Sequence, residues 1–149
     1  MGVLEFDVEV KSPADKFWRG LEDSATIFPK IFPERIKSVE IVEGDGLKPG
    51  SIRILKYVEG TPGITFAKEK MELLDDENKT LVYSVIDGEI THLYKSFKVH
   101  LHVVPKEEGS VVKWGLEYEK ASEEVPEPDH IKQTATKAFN CLDAYLLQA

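Results

Sequence analysis

Ser110–Gln148 reads SVVKWGLEYEK, then ASEEVPEPD, then HIKQTATKAFNCLDAYLLQ, and its hydrophobic period changes along the way. In the first part Val112, Trp114, Leu116 and Tyr118 alternate with Lys113, Gly115, Glu117 and Glu119. That alternation is the mark of a strand with one wet face. In the last part Ile131, Ala135, Ala138, Leu142 and Tyr145 or Leu146 recur every three or four residues, which predicts an amphipathic helix. Pro126-Glu127-Pro128-Asp129 supplies an acidic start, where anionic groups offset the positive end of the helix dipole. About 20 residues at 1.5 Å each give a helix about 30 Å long, enough to cross a whole sheet.

Upstream, the pattern is strands and turns. Leu4, Phe6, Val8 and Val10 alternate with Glu5, Asp7 and Glu9, so Val3–Val10 reads as a strand. Ser12-Pro13 is read as an N-cap with an N1 proline, opening a helix through Asp23 on the stripe Ala14, Phe17, Trp18 and Leu21. A second short helix is expected over Ser24–Lys30, limited by Pro29 and Pro33. Ile36–Val42, Ser51–Val58, Ile64–Leu74, Thr80–Ile86 and the run through Phe97, Val99, Leu101 and Val103 are predicted strands. Turns at Gly44–Gly50, Gly60-Thr61-Pro62-Gly63, Asp75–Asn78 and Pro105–Gly109 separate them. Seven strands joined by short turns, with a long helix at the end, make an α+β chain whose antiparallel sheet has one apolar face wrapped on that helix.

Composition bounds the function. The 149 residues suit one domain, 1–149, and 42% are aliphatic or aromatic, enough for a real core and too many for a disordered chain. With 19 basic against 27 acidic residues the net charge is −8, which argues against nucleic acid as a partner and against ribonuclease activity. Cys141 is the single cysteine, so neither an internal disulfide nor a thiolate zinc site is available, and it reads as a small apolar residue. No run approaches the ~18–20 apolar residues of a membrane span, and Met1–Phe6 does not read as a signal peptide. Phe6 also stands where a myristoylation signal wants Ser or Thr. The expected setting is a reducing, cytoplasmic one, with no membrane insertion.

Several motifs lead nowhere chemical. The glycine-rich stretch Gly44–Ser51 lacks the Lys-Ser/Thr that follows the last glycine of a phosphate loop, and Ser51-Ile52-Arg53-Ile54 continues as a strand. It reads as a hairpin that tolerates positive φ, free to act as a portal or partner surface. His100 and His102 share a strand face with no carboxylate adjacent in sequence, so no metal site and no cofactor are assigned. His92 and His130 flank possible openings. No nucleophile–base–acid set is legible, and no catalytic residue is named.

An ordered set of short motifs spans nearly the whole chain: Lys30-x-Phe32-Pro33, Ser38-Val39-Glu40, Glu43-Gly44-Asp45-Gly46 and Pro49-Gly50-Ser51-Ile52. Tyr83-Ser84-Val85-Ile86-Asp87-Gly88, Gly109-Ser110-x-x-Lys113-Trp114 and Tyr145-Leu146-Leu147 complete it. In this set the chain resembles the plant major latex protein branch of the Bet v 1-like, class-ten pathogenesis-related superfamily. The resemblance implies a START-like helix-grip fold: a seven-stranded curved antiparallel sheet around the C-terminal helix, two short supporting helices and a large internal cavity. It also implies reversible binding of small hydrophobic or amphipathic ligands, among them fatty acids, lysolipids, sterols, flavonoids and hormone-like molecules, in cytosolic proteins of plant defence, stress or development. A few such relatives are condensing synthases or isomerases that place a lysine, a carboxylate and a tyrosine in the cavity. Lys95, Glu69 and Tyr83 are the residues of those types here, without a matching motif. A ligand-gated signalling role, with a protein partner engaged through the glycine-rich and Gly88–Leu93 loops, is a further alternative.

The expected cavity walls follow from alternation and resemblance together. Alternation turns Leu81, Tyr83, Val85, Phe97, Val99, Leu101, Trp114 and Leu116 inward. On Ser51–Val58 it is ambiguous, since Ile52 and Ile54 compete with Leu55 and Tyr57; the resemblance turns Arg53, Leu55 and Tyr57 to the cavity. An isolated buried cation costs several kcal/mol, so Arg53 requires a carboxylate or a ligand anion, and Glu69 and the ligand are both candidates. Lys95 shares parity with Phe97 and is a second candidate cation. The helix contributes Thr134, Ala135, Ala138, Phe139 and Leu142, its alanines being small where a packed bundle would favour leucine. Phe28, Ile36, Ile64 and Phe66 complete the ligand-binding set.

Overall fold

Residues 2–58 and 65–148 are described by the computed structural model. The expected Gly60–Gly63 turn and Ile64 lie outside the described residues. The strands are β1 (Gly2–Val10), β2 (Ile36–Glu43), β3 (Ile52–Tyr57), β4 (Phe66–Asp75), β5 (Thr80–Gly88), β6 (Tyr94–Pro105) and β7 (Ser110–Lys120). The helices are α1 (Ala14–Glu22), α2 (Ser24–Ile31), α3 (Ile90–Leu93) and α4 (His130–Gln148). The strands form one antiparallel sheet in the order β1-β7-β6-β5-β4-β3-β2, so the last strand pairs with the first, and β1 and β2, joined through α1 and α2, are its two edges. This is the helix-grip α+β fold. Among the described residues no helix is long and apolar enough to cross a membrane.

The alternation of β1 and β7 becomes burial directly. Phe6, Val8 and Val10 pair across the ladder with Trp114, Val112 and Ser110, and their buried faces form the sheet side of the core. Phe6 and Trp114 stack with ring centroids 4.9 Å apart. α4 packs on α1, α2 and β1, burying Phe139, Leu142 and Leu146, while Tyr145 stays exposed. Phe17 of α1 meets Phe139 edge-on at 6.2 Å.

Three local expectations are corrected. Ser12 does not cap α1: Pro13 occupies that position, and the Ser12 hydroxyl is turned to Asp143 instead. α2 runs through Pro29 to Ile31, its last turn closed by the Phe32 amide on the Phe28 carbonyl. α4 begins at His130, directly after the Pro126–Asp129 stretch, so its first turn holds no acidic side chain, and the short α3 has no counterpart in the sequence reading.

Register breaks bend the sheet and reset its parity. β4 and β5 slip between Lys68 and Glu69 and again between Met71 and Leu73; β6 and β7 slip between Tyr94 and Ser96. Each extra residue locally sharpens strand twist. Together they turn the inner face of the sheet toward α4 without a continuous contact between the two.

Candidate functional site

Between the inner face of β3–β7 and α4 lies a cavity of about 270 Å³. It exists because α4 offers Thr134, Ala135 and Ala138 where larger side chains would close the gap. Leu55, Leu81, Val85, Val99 and Leu101 rise from the strands opposite. Phe28 of α2, Ile36 of β2, Phe97, Trp114 and Phe139 add aromatic and aliphatic surface, and Arg53, Tyr57 and Tyr83 supply polar groups. The structure thus brings together sixteen of the residues expected in the walls.

Three others are placed elsewhere. Phe66 has the opposite parity on β4 from Ala67, Glu69 and Met71, which are the residues turned inward. Leu116 is fully buried between its ladder partners Leu4 and Val99 and does not reach the void. Leu142 is spent on α1, its Cδ1 so near Gly20 that a Cβ there would come within 3.2 Å. Lys95 is exposed, because the break beside it turns Tyr94 and Phe97 inward instead.

The reading from sequence missed Leu21, Ser24, Phe32, Arg35, Leu47, Ala67, Met71, Ile90, His130 and Ile131 as lining residues. Ala67 and Met71 were accessible by parity once Glu69 was turned inward. Leu47 brings the glycine-rich loop to the cavity: the Asp45 carboxylate accepts the Leu47 and Lys48 amides at 2.9 Å, folding the loop on itself. Arg35 and Ser24, from the α2 region, carried no signal of their own.

Polar groups concentrate at one side of the cavity. Arg53 and Glu69 are directly opposed on β3 and β4, and Arg53 Nε donates to Glu69 Oε1 at 2.9 Å. Their side chains are 15% and 6% exposed, and Arg53 Nη1 also donates to Ser24 Oγ at 3.1 Å. The Arg53 guanidinium lies 5.9 Å from the centre of the Tyr83 ring. Burial pushes the Glu69 carboxyl above its usual range, with the Arg53 charge and hydrogen bond opposing. Burial likewise pushes the Tyr83 phenol up, reinforced by the Glu69 charge and opposed by Arg53. Tyr57 shifts upward for the same reasons, with Arg35 adding to the opposition. Both phenols stay protonated across the physiological range. Among the described residues neither hydroxyl has a hydrogen-bond partner.

The lysine–carboxylate–tyrosine set does not assemble: Glu69 and Tyr83 line the cavity, Lys95 lies outside it, and no lysine is among the described lining residues. His100 Nε2 stands 3.5 Å from Glu117 Oε2 on the adjacent strand, a carboxylate neighbour the linear sequence hides. No group of three metal-ligating side chains occurs among the described residues.

Residues 1–149 match the family described as Pathogenesis-related protein Bet v 1 family. MLP-like protein 423 of Arabidopsis thaliana is 47% identical over 147 residues, covering 99% of this chain and 95% of that protein. Among solved structures, ginseng major latex-like protein 151 from Panax ginseng superposes with a TM-score of 0.89 at 28% identity, over 98% of this chain and 97% of that one. Norcoclaurine synthase from Thalictrum flavum, in complex with dopamine and hydroxybenzaldehyde, superposes with a TM-score of 0.80 at 26% identity, over 99% and 87% of the two chains.

Proposed function

The chain belongs to the pathogenesis-related Bet v 1 family, and from that premise we propose that it takes up a small hydrophobic or amphipathic molecule in the cavity between sheet and α4. The observation that carries the reading is the cavity itself: about 270 Å³, walled by aliphatic and aromatic side chains with a few polar groups at one side. Native cores leave few voids larger than a water, so an apolar space of this size needs an occupant to explain it. Its volume stands at the small end of the roughly 300–1,000 Å³ usual for small-molecule sites, which favours a compact guest over a sterol or a long lipid.

Burying about 300 Å² of apolar ligand surface contributes roughly 7–8 kcal/mol before association costs. After those costs the expected affinity is micromolar. Selectivity is loose, because apolar contact has no direction and few polar groups orient the guest. Carriage or sensing in a reducing, cytoplasmic setting, in defence, stress or development, is the physiological form of this reading; the solitary cysteine suits such a compartment.

The test is titration with N-phenyl-1-naphthylamine, a neutral dye that fluoresces in apolar surroundings. Saturable one-to-one enhancement is expected, lost in Ala138→Phe, which sets a ring in the space beside Phe139. Unsaturable enhancement, or binding unchanged in that variant, would place the dye elsewhere and defeat the proposal.

A further inference from the structure

We infer that the cavity selects a guest carrying a neutral hydroxyl, a group that both donates and accepts, and discriminates against carboxylates; this rests on the cavity being the binding site. Arg53 is the residue that invites the opposite conclusion, a guanidinium among aromatic walls. Its charge is already engaged. Glu69 takes Nε at 2.9 Å from directly across the ladder, and Ser24 takes Nη1 at 3.1 Å. Both charges of the pair are largely out of solvent, so an incoming anion gains attraction to Arg53 only at the cost of repulsion by Glu69 beside it.

What is left uncommitted around the pair has mixed character. Glu69 Oε2 has no hydrogen-bond partner among the described residues and can only accept. The phenols of Tyr57 and Tyr83 line the same cavity unpartnered, and each can donate and accept. Both tyrosines are half-buried, and none of these three groups is sealed from water; they open to the cavity, where a guest can meet them. An alcohol or phenol of the guest serves all three groups. A carboxylate offers no donor to Glu69 Oε2, and an ammonium offers no acceptor to the phenols. The cavity also holds Arg35, half-buried and with no ion pair among the described residues, which is where an anion would settle if charge ruled the choice.

The test compares three guests with one ring system, 1-naphthalenemethanol, 1-naphthoate and 1-methylnaphthalene, as displacers of N-phenyl-1-naphthylamine from the full chain at pH 7. The alcohol is expected to displace at concentrations at least tenfold below those of the other two. Glu69→Gln, which leaves Arg53 uncompensated, is expected to tighten naphthoate at least tenfold and to change the alcohol far less. Tyr57→Phe and Tyr83→Phe are expected to weaken the alcohol severalfold and leave methylnaphthalene alone; they decide the matter should Glu69→Gln fail to fold. Naphthoate equal to or better than the alcohol, with its affinity lost in Arg35→Gln, would overturn the inference, as would an alcohol no better than methylnaphthalene. Failure of all three to displace the dye would instead overturn the cavity reading beneath it.

Discussion

The Ser12 hydroxyl, at the end of β1, donates to Asp143 Oδ1 of α4 at 2.6 Å, across 131 positions of sequence. The Ser12 and Lys11 amides donate to the same carboxylate at 2.9 Å each, and Ser110 Oγ donates to the Ser12 carbonyl at 2.8 Å. One acidic side chain therefore ties the closing helix to the β1–α1 turn and, through Ser12, to the start of β7. Ser12 and Asp143 are both buried. Asp143→Ala leaves buried donors without acceptors and is expected to destabilise the fold by about 3 kcal/mol, whereas Asp143→Asn keeps one acceptor and costs about half as much. Urea unfolding midpoints measure both. Equal midpoints for the three proteins would mean that water takes over the contact.

The two tryptophans report on different places. Trp18 Nε1 donates to Asp76 Oδ1 at 3.0 Å, and Trp18 is not among the residues lining the cavity. Trp114 lines the cavity and stacks on Phe6. A guest should therefore change the emission of Trp114 and leave that of Trp18 nearly alone. In Trp18→Phe the ligand-dependent change is expected to persist in full; in Trp114→Phe it should vanish. A change surviving in Trp114→Phe would locate the guest outside the cavity.

These contacts divide what can be read along the chain from what cannot. The alternation of Phe6, Val8 and Val10 and the stripe through Ala135, Ala138 and Leu142 were enough to foresee a sheet closed by a terminal helix, because periodicity is a local property. Parity fails where a strand gains a residue. The break between Tyr94 and Ser96 sends Lys95 outward although it matches Phe97 in count. On β4 alternation holds, and Phe66 faces away because Glu69, three positions on, faces in. Depth along the helix was equally hidden: Leu142 lies on the expected stripe, yet the absence of a side chain at Gly20 draws it against α1. Arg35 and Leu47 reach the cavity from loops, where no period exists to place them.

The Glu89 carboxylate accepts from the Thr65 amide at 3.0 Å and from the Thr65 hydroxyl, and more distantly from the Phe66 amide at 3.4 Å. The Thr65 hydroxyl, then its amide, hold the Glu89 carboxyl down to about 2 from the usual 4.5. The folded value lies below the unfolded one, so the stabilisation is complete above about pH 4.5 and is lost as pH falls toward 2. Glu89→Gln should therefore be less stable than the parent at pH 6, with the difference closing between pH 4.5 and 2. Urea midpoints at pH 6, 4 and 2.5 measure it. A difference independent of pH would mean that Glu89 acts by packing rather than by charge.

Ala135 faces the void with a single methyl, so a larger side chain there meets space rather than neighbours. Ala135→Leu buries three more carbons in that space and is expected to stabilise the empty protein by about 1–2 kcal/mol. The same change removes room for a guest, so stability and binding should move in opposite directions. For the parent, a ligand at a hundred times its Kd adds about 2.7 kcal/mol, so Tm rises with ligand concentration. For Ala135→Leu the Tm should start higher and stay flat as ligand is added. A variant less stable than the parent would mean that the sheet already approaches α4 closely enough at Ala135 to leave no usable space, and the guest would have to lie deeper, against Trp114 and Leu101.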